Sequence, residues 1–336
     1  MKILFRCDGS IEIGMGHVVR CLALADELFD NHDCEVSFAL RKSELAIKHI
    51  KSSYPVLTSN ENSFDYNDWI VECIRMSKAQ ILILDVRDNL SRSDLIHIKK
   101  KSGVRVVTID DPEDKRLESD LAFFPPVPQV QEMGWHEYKG KLFVGWAYVI
   151  LRKEFNKYYP DPNNDTPNIL VSMGGTDEHN MTQMAIEAFN LINHKVTVTI
   201  ILGPGYQFEN TLRKLLFSAQ FKYTIYRNPS NIASLMSNSN LAVISFGQTA
   251  YELAALRVPS IYMCLTEDHY DSSMLFVSVG VGVNIGLTSK MTPQFISNNV
   301  VSILIDEMKM KMMRKHAKDL SISDLKDLSH HILRNI

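Results

Sequence analysis

The segment "KILFRCDGSIEIGMGHVVRCLALADELFD" (residues 2–30) holds the pattern on which the fold turns. Its first seven residues are a run of strand length with an apolar centre, stopped by Gly9. After a glycine-bearing turn, Val18, Cys21, Leu22, Leu24, Ala25 and Leu28 recur at helical spacing. A short continuous apolar run followed by an amphipathic helix is how a strand of a two-sided parallel sheet begins.

The alternation continues outward from there. Residues 34–40, 81–86 and 104–111 read as further strands. Residues 91–103 read as a helix with Ser91 as N-cap and Gly103 as its stop. The stretch 123–140 is proline-rich and reads as loop, with a last short strand in "DLAFF" before it. Residues 158–168, "YYPDPNNDTPN", are turn and linker residues. Beyond them the pattern restarts, with strands at 168–175, 195–205, 240–247 and 259–265 and helices at 179–192 and 249–258. The 336 residues suit two domains of roughly 150 each. The expectation is therefore two doubly wound α/β domains facing across a cleft. The first covers residues 1–157, a linker covers 158–168, and the second covers 169–336, with the last helix able to cross back to the first domain. The segment "DEMKMKMMRKHAKDL" (306–320) reads as a solvated helix with its methionines on the core side.

Composition narrows the function classes. A net charge of −3 gives no electrostatic reason for nucleic acid or an anionic membrane as main partner. Five scattered cysteines with no C-x-x-C pair argue against a zinc site or disulfide framework and fit a reducing cytoplasm. No run of 18 apolar residues occurs, so membrane insertion is not expected. No metal or cofactor is expected, and oligomeric state is left open.

Three strand-to-helix turns carry glycine: Gly14 and Gly16, Gly174 and Gly175, and Gly247. Such turns expose backbone N–H groups at a helix start, where phosphate binds. None fits the P-loop pattern, and Gly14-Met15-Gly16 lacks the third glycine of a dinucleotide site. His17 reads either as an ordinary helix-start residue or as a general base. Glu252 reads either as a helix-dipole residue with Thr249 as N-cap, or as an acceptor for ribose hydroxyls. Asp8, Asp85, Asp110 and Asp111 end or follow strands, which can bring them to one rim of a sheet.

"RCDGSIEIGMGHVVRCLALADEL", "VSMGGTDEHN", "SFGQTAYELAALRVPSI" and "YVILRKEF" together resemble the UDP-sugar hydrolases of pseudaminic (nonulosonic) acid biosynthesis. These are GT-B-fold enzymes similar to the peptidoglycan N-acetylglucosaminyltransferase. The likeness spans roughly residues 1–290. It implies a hydrolase that releases UDP from a UDP-2,4-diacetamido-2,4,6-trideoxy sugar by water attack at the anomeric carbon, with inversion. His17 would be the base. Asp8, Gly14, Gly16 and Arg152 would lie in the substrate site. Gly174, Gly175 and Thr176 would contact the diphosphate, and Gly247, Thr249 and Glu252 the phosphate and ribose. Where the family reads Glu-Asn-Gln, this chain has Glu267, Asp268 and His269, expected on a loop at the sugar. The alternatives on the same residues are a glycosyltransferase using a nucleotide-sugar donor and a non-catalytic nucleotide-sugar binding module.

Overall fold

The structure, a computed structural model, describes residues 1–10, 15–41, 43–59, 65–157, 162, 164–322 and 325–334. It divides into two compact units: Met1–Lys153 with Ser323–Ile336, and Glu154–Ile322.

The first unit contains β1 (Lys2–Cys7), α1 (Gly16–His32), β2 (Glu35–Leu40), α2 (Glu44–Lys51), β3 (Val56–Thr58), α3 (Tyr66–Ser77), β4 (Ile81–Asp85), α4 (Arg92–Ser102), β5 (Arg105–Ile109), β6 (Leu121–Phe124) and β7 (Lys141–Val144). The strands form one parallel sheet in the order β3-β2-β1-β4-β5-β6-β7. Alternation along β1 feeds two cores: Ile3 and Phe5 meet Val18, Leu24 and Leu28 of α1, while Leu4 meets Ile70, Ile74, Leu95 and Ile98 of α3 and α4. Both faces are dry, which is why the strands read as unbroken apolar runs. α4 starts with Ser91 and Asp94 in a reciprocal capping box and stops at left-handed Gly103. β7 was not foreseen. It is a short edge strand whose exposed Lys141, Leu142 and Val144 give no buried-strand signal.

The second unit contains β8 (Asn168–Ser172), α5 (Met181–Phe189), β9 (Thr197–Leu202), α6 (Glu209–Leu216), β10 (Lys222–Arg227), α7 (Ile232–Ser237), β11 (Leu241–Ser245), α8 (Gln248–Ala255), β12 (Ser260–Cys264), α9 (Glu267–Ser278), β13 (Gly282–Leu287), α10 (Pro293–Leu304) and α11 (Glu307–Asp319). Its parallel sheet runs β10-β9-β8-β11-β12-β13. α12 (Lys326–Arg334) follows and belongs to the first unit, where Leu325, Leu328 and Ile332 join the α1 core. The methionines of α11 do not all face inward. Met313 is buried and Met310 packs on the core, but Met308 and Met312 are exposed.

Both sheets reverse strand order once, between β1 and β4 and between β8 and β11. At such a reversal the flanking helices leave on opposite faces, and the carboxyl ends of the two strands open a crevice for ligands.

Candidate functional site

In the first unit the crevice is built from β1, β4 and the start of α1. Asp85 ends β4 beside Cys7 of β1. His17 is the second residue of α1, and its Nδ1 lies 2.6 Å from Asp85 Oδ1. Arg20, one turn further along α1, donates from Nε to Asp85 Oδ2 at 2.7 Å and from Nη2 to Oδ1 at 2.6 Å. Its Nη1 reaches Asp110 Oδ2 at 3.1 Å. The Cys21 thiol adds a weak donor to Asp85 Oδ2 at 3.5 Å. The G-H-x-x-R spacing therefore puts His17 and Arg20 on one helix face, above one carboxylate.

Burial alone would push the Asp85 carboxyl upward, but Arg20 and His17 outweigh it and bring the group down to about 2. Burial also opposes the Arg20 charge, and Asp85 with Asp110 more than restores it. An ionised Asp85 can only accept, so the tautomer that fits it has the His17 proton on Nδ1. Nε2 is then left as the proton acceptor. His17 keeps 23% of its side chain exposed while Asp85 keeps 1%. The arrangement is a buried carboxylate behind a partly exposed imidazole.

The other first-unit candidates divide. Asp8 does not face a ligand freely. Its carboxylate accepts from Arg6 Nη2 at 2.5 Å and from the Arg41 backbone N–H at 2.9 Å, tying the ends of β1 and β2 together. The paired aspartates also split. Asp110 joins Arg20, while buried Asp111 turns to Lys115 at 3.4 Å and to the Glu113 N–H at 2.9 Å. Gly16 opens α1, and a Cβ there would meet open space. Arg152 lies half-buried on the segment after β7, and Gly14 lies outside the described residues.

Residue-by-residue reading missed a neighbouring cluster. Fully buried Arg6 bonds the Tyr66 hydroxyl at 2.8 Å and Asp88 at 3.0 Å as well as Asp8, and stacks near the rings of Tyr66 and Trp69. An arginine inside the apolar run "KILFRC" was its only sequence signal.

In the second unit the turn after β8 and the turn after β11 come together. A Cβ on Gly174 would lie 3.7 Å from Ser245 Oγ. Gly174 sits at φ +86, where glycine is favoured; Gly175 and Thr176 follow it, all three exposed. Gly203 is the turn's buttress, because a Cβ there would collide with Gly175 O at 2.2 Å. The two helices behind these turns differ. α5 is closed by Asp177, whose carboxylate accepts from Met181 N at 2.7 Å and Thr182 N at 2.9 Å. Those amides are thus spent on the protein. α8 has Gly247 as N-cap with no side-chain cap among the described residues, and Thr249 is not its cap; it is the second helical residue. Gly247 has extended backbone (φ 163), and a Cβ on it would meet nothing within 4 Å. Neither backbone nor packing demands glycine there, whereas a close-approaching ligand would. Glu252 is half-buried in the second turn of α8.

Residues 267–269 are not a loop. They are the first turn of α9, capped by Thr266, whose Oγ1 accepts from His269 N at 3.2 Å. The polar run "EDHYDSS" hid a helix that starts on a threonine cap with two acids behind it. Asp268 is exposed, and the His269 ring lies 6.3 Å from that of Phe246, next to Gly247. Burial pushes the His269 imidazole down and Asp268 opposes this only in part, so the ring is neutral at neutral pH.

No described helix is long and apolar enough to cross a membrane. No family profile matches the chain. Among curated proteins it is 30% identical over 279 residues to the uncharacterized protein MJ1062 of Methanocaldococcus jannaschii, covering 80% of this chain and 56% of that protein. The chain thus spans little more than half the length of that relative. It is 27% identical to the UDP-2,4-diacetamido-2,4,6-trideoxy-β-L-altropyranose hydrolase of Campylobacter jejuni, over 84% of this chain and 98% of that enzyme. It is 22% identical to the spore coat polysaccharide biosynthesis protein SpsG of Bacillus subtilis, over 85% and 84%. Among solved structures, Acinetobacter baumannii MurG superposes with a TM-score of 0.74 over 100% of both chains at 13% identity. Anabaena HepE, solved with UDP, superposes with a TM-score of 0.69 over 100% of this chain and 99% of that one at 15% identity. Over most of its length the chain is thus similar in sequence to the UDP-2,4-diacetamido-2,4,6-trideoxy-β-L-altropyranose hydrolase of Campylobacter jejuni, and its fold is the GT-B fold that MurG also has.

Proposed function

We propose that this chain hydrolyses a UDP-diacetamido-trideoxy sugar, releasing UDP and the free sugar for nonulosonic acid synthesis. The observation that carries the reading is the pairing of His17 with ionised Asp85. In this scheme Nε2 of His17 takes a proton from water as the water oxygen bonds to the anomeric carbon. The bond from that carbon to the diphosphate oxygen breaks with its electron pair on UDP, and attack opposite the leaving group inverts the centre. Asp85 stays ionised and stabilises the imidazolium that forms.

The second unit is assigned the nucleotide. The uncapped start of α8, Gly247 and Thr249, together with the Gly174–Thr176 turn, would hold the diphosphate and stabilise the charge it gains on leaving. Glu252 is assigned to ribose hydroxyls, and His269, as a neutral ring, to a sugar substituent or phosphate oxygen beside Asp268. The homologue's hydrolase name and the UDP held by a protein of the same fold support this assignment.

The test is incubation with a panel of UDP-diacetamido-trideoxy sugars, following UDP release with no acceptor added. UDP release is expected, and His17→Asn should retain UDP binding while losing about 10²- to 10⁴-fold in kcat. Full turnover by that variant would remove His17 from the mechanism. The resemblance to glycosyltransferases favours a second reading, transfer to an acceptor; release of UDP only when an acceptor is supplied would establish it.

A further inference from the structure

A polar cavity of about 430 Å³ lies in the first unit at the amino ends of β5, β6 and β7. Arg105, Leu121 and Lys141, which open those strands, line it. All strands of this sheet are parallel, so the cavity is at the opposite edge from Asp85, which ends β4. It shares no residue with the His17 centre.

The lining is unevenly charged. Its three carboxylates, Glu118, Asp120 and Glu137, are already engaged. Arg92 takes Glu118 at 2.7 Å and Glu137 at 2.5 Å. Asp120 receives Lys99 at 3.0 Å on one oxygen and the Val106 N–H at 2.7 Å on the other. Three further cations, Arg105, Lys139 and Lys141, line the same space. Arg105 Nη1 is buried with no hydrogen-bond partner among the described residues. Burial also works against the Arg105 charge, and Asp120 offsets it only in part. A partly buried guanidinium with an unmatched N–H costs stability until an acceptor arrives. Arginine and lysine presented together to a cavity are the donors that oxyanions of phosphorus select. A carboxylate metabolite would satisfy the same donors with less charge, so the excess of cations favours phosphate.

We propose that this cavity binds a small phosphorylated anion, with Arg105 and Lys139 as its charge partners, as a site separate from the one that handles the nucleotide sugar. Occupancy there would stabilise the first unit by mass action without touching His17.

The experiment is calorimetric titration of the full chain with inorganic phosphate, pyrophosphate and glucose 6-phosphate, with UDP present throughout. Wild type, Arg105→Gln and Lys139→Gln are compared. Wild type should take up pyrophosphate at a site that Arg105→Gln weakens at least tenfold and that Lys139→Gln weakens several-fold, with affinity falling as salt rises. Tighter binding of glucose 6-phosphate than of inorganic phosphate would identify a phosphorylated metabolite as the occupant; the reverse would identify the free ion. Lys139 is exposed, so its variant tests the site even if Arg105→Gln fails to fold. Equal affinity and stoichiometry in wild type and Lys139→Gln, or no uptake of any of the three anions by wild type at millimolar concentration, would overturn the proposal.

Discussion

Replacing Asp85 by asparagine gives a graded test of the His17 centre, because its effect can be worked from the structure as a function of pH. The carboxyl falls from the ordinary aspartate value of 3.8 to about 2 on folding. At about 1.36 kcal/mol per pH unit, the difference ties roughly 2 kcal/mol of first-unit stability to the ionised form. The folded value is the lower one, so this stability is complete above about pH 5 and is lost as pH falls through 4 toward 2. Asparagine cannot ionise, and it leaves the Arg20 charge with Asp110 alone at 3.1 Å. Removing one partner of a buried pair costs about 3–5 kcal/mol. Asp85→Asn should therefore be about 3 kcal/mol less stable than wild type at pH 6, and the gap should narrow by about 1 kcal/mol at pH 3. The assay is urea unfolding followed by tryptophan fluorescence, which reads the first unit alone because Trp69, Trp135 and Trp146 all belong to it. A gap that stays constant from pH 6 to pH 3 would refute the claim that Asp85 is held ionised by its neighbours.

Three further outcomes are expected. Gly247→Ala should change thermal stability by no more than about 1 kcal/mol, since the backbone there is extended and the added methyl meets open space. It should nonetheless weaken UDP binding at least tenfold by calorimetry, and unchanged UDP affinity would remove the start of α8 from the phosphate site. Asp177→Ala should cost the second unit about 1–2 kcal/mol, read by the far-UV circular dichroism melt, through loss of two hydrogen bonds to the first turn of α5. Leu328→Ala, at a fully buried position of α12, should cost the first unit about 2–5 kcal/mol in the tryptophan-monitored transition; a value near zero would mean that α12 is not part of that core.

The parallel sheets were legible because a strand buried on both faces writes a continuous apolar run, as in residues 2–7 and 81–84, and the glycine turns punctuate it. His17 was legible as a candidate and Asp85 as a strand-end acid. Their contact was not, since it joins residues 68 apart through sheet order. Arg20 has a local signal, three residues after His17 on the same helix face, in the G-x-G-H-x-x-R pattern, but its bond to Asp85 does not. β7 escaped because an exposed edge strand has no apolar alternation to show. The start of α9 reads as a loop because its first two turns are polar, although Thr266 followed by Glu267 and Asp268 has the composition of a helix start. The GGT turn and the start of α5 read together as one phosphate site, but Asp177 occupies the α5 amides; an aspartate four residues ahead of the helix is the available clue.

The path of the chain has a consequence for how the protein is made. The first unit's core is closed by Leu325, Leu328 and Ile332, which the ribosome adds only after all of the second unit. During synthesis the α1 face that receives them stays uncovered while residues 154–322 emerge and form their own core. The helix that carries His17 should therefore reach native protection from hydrogen exchange last, although it lies near the start of the sequence. A nascent chain stalled before residue 325 would present a finished second unit beside a first unit with one flank still open to chaperones and proteases.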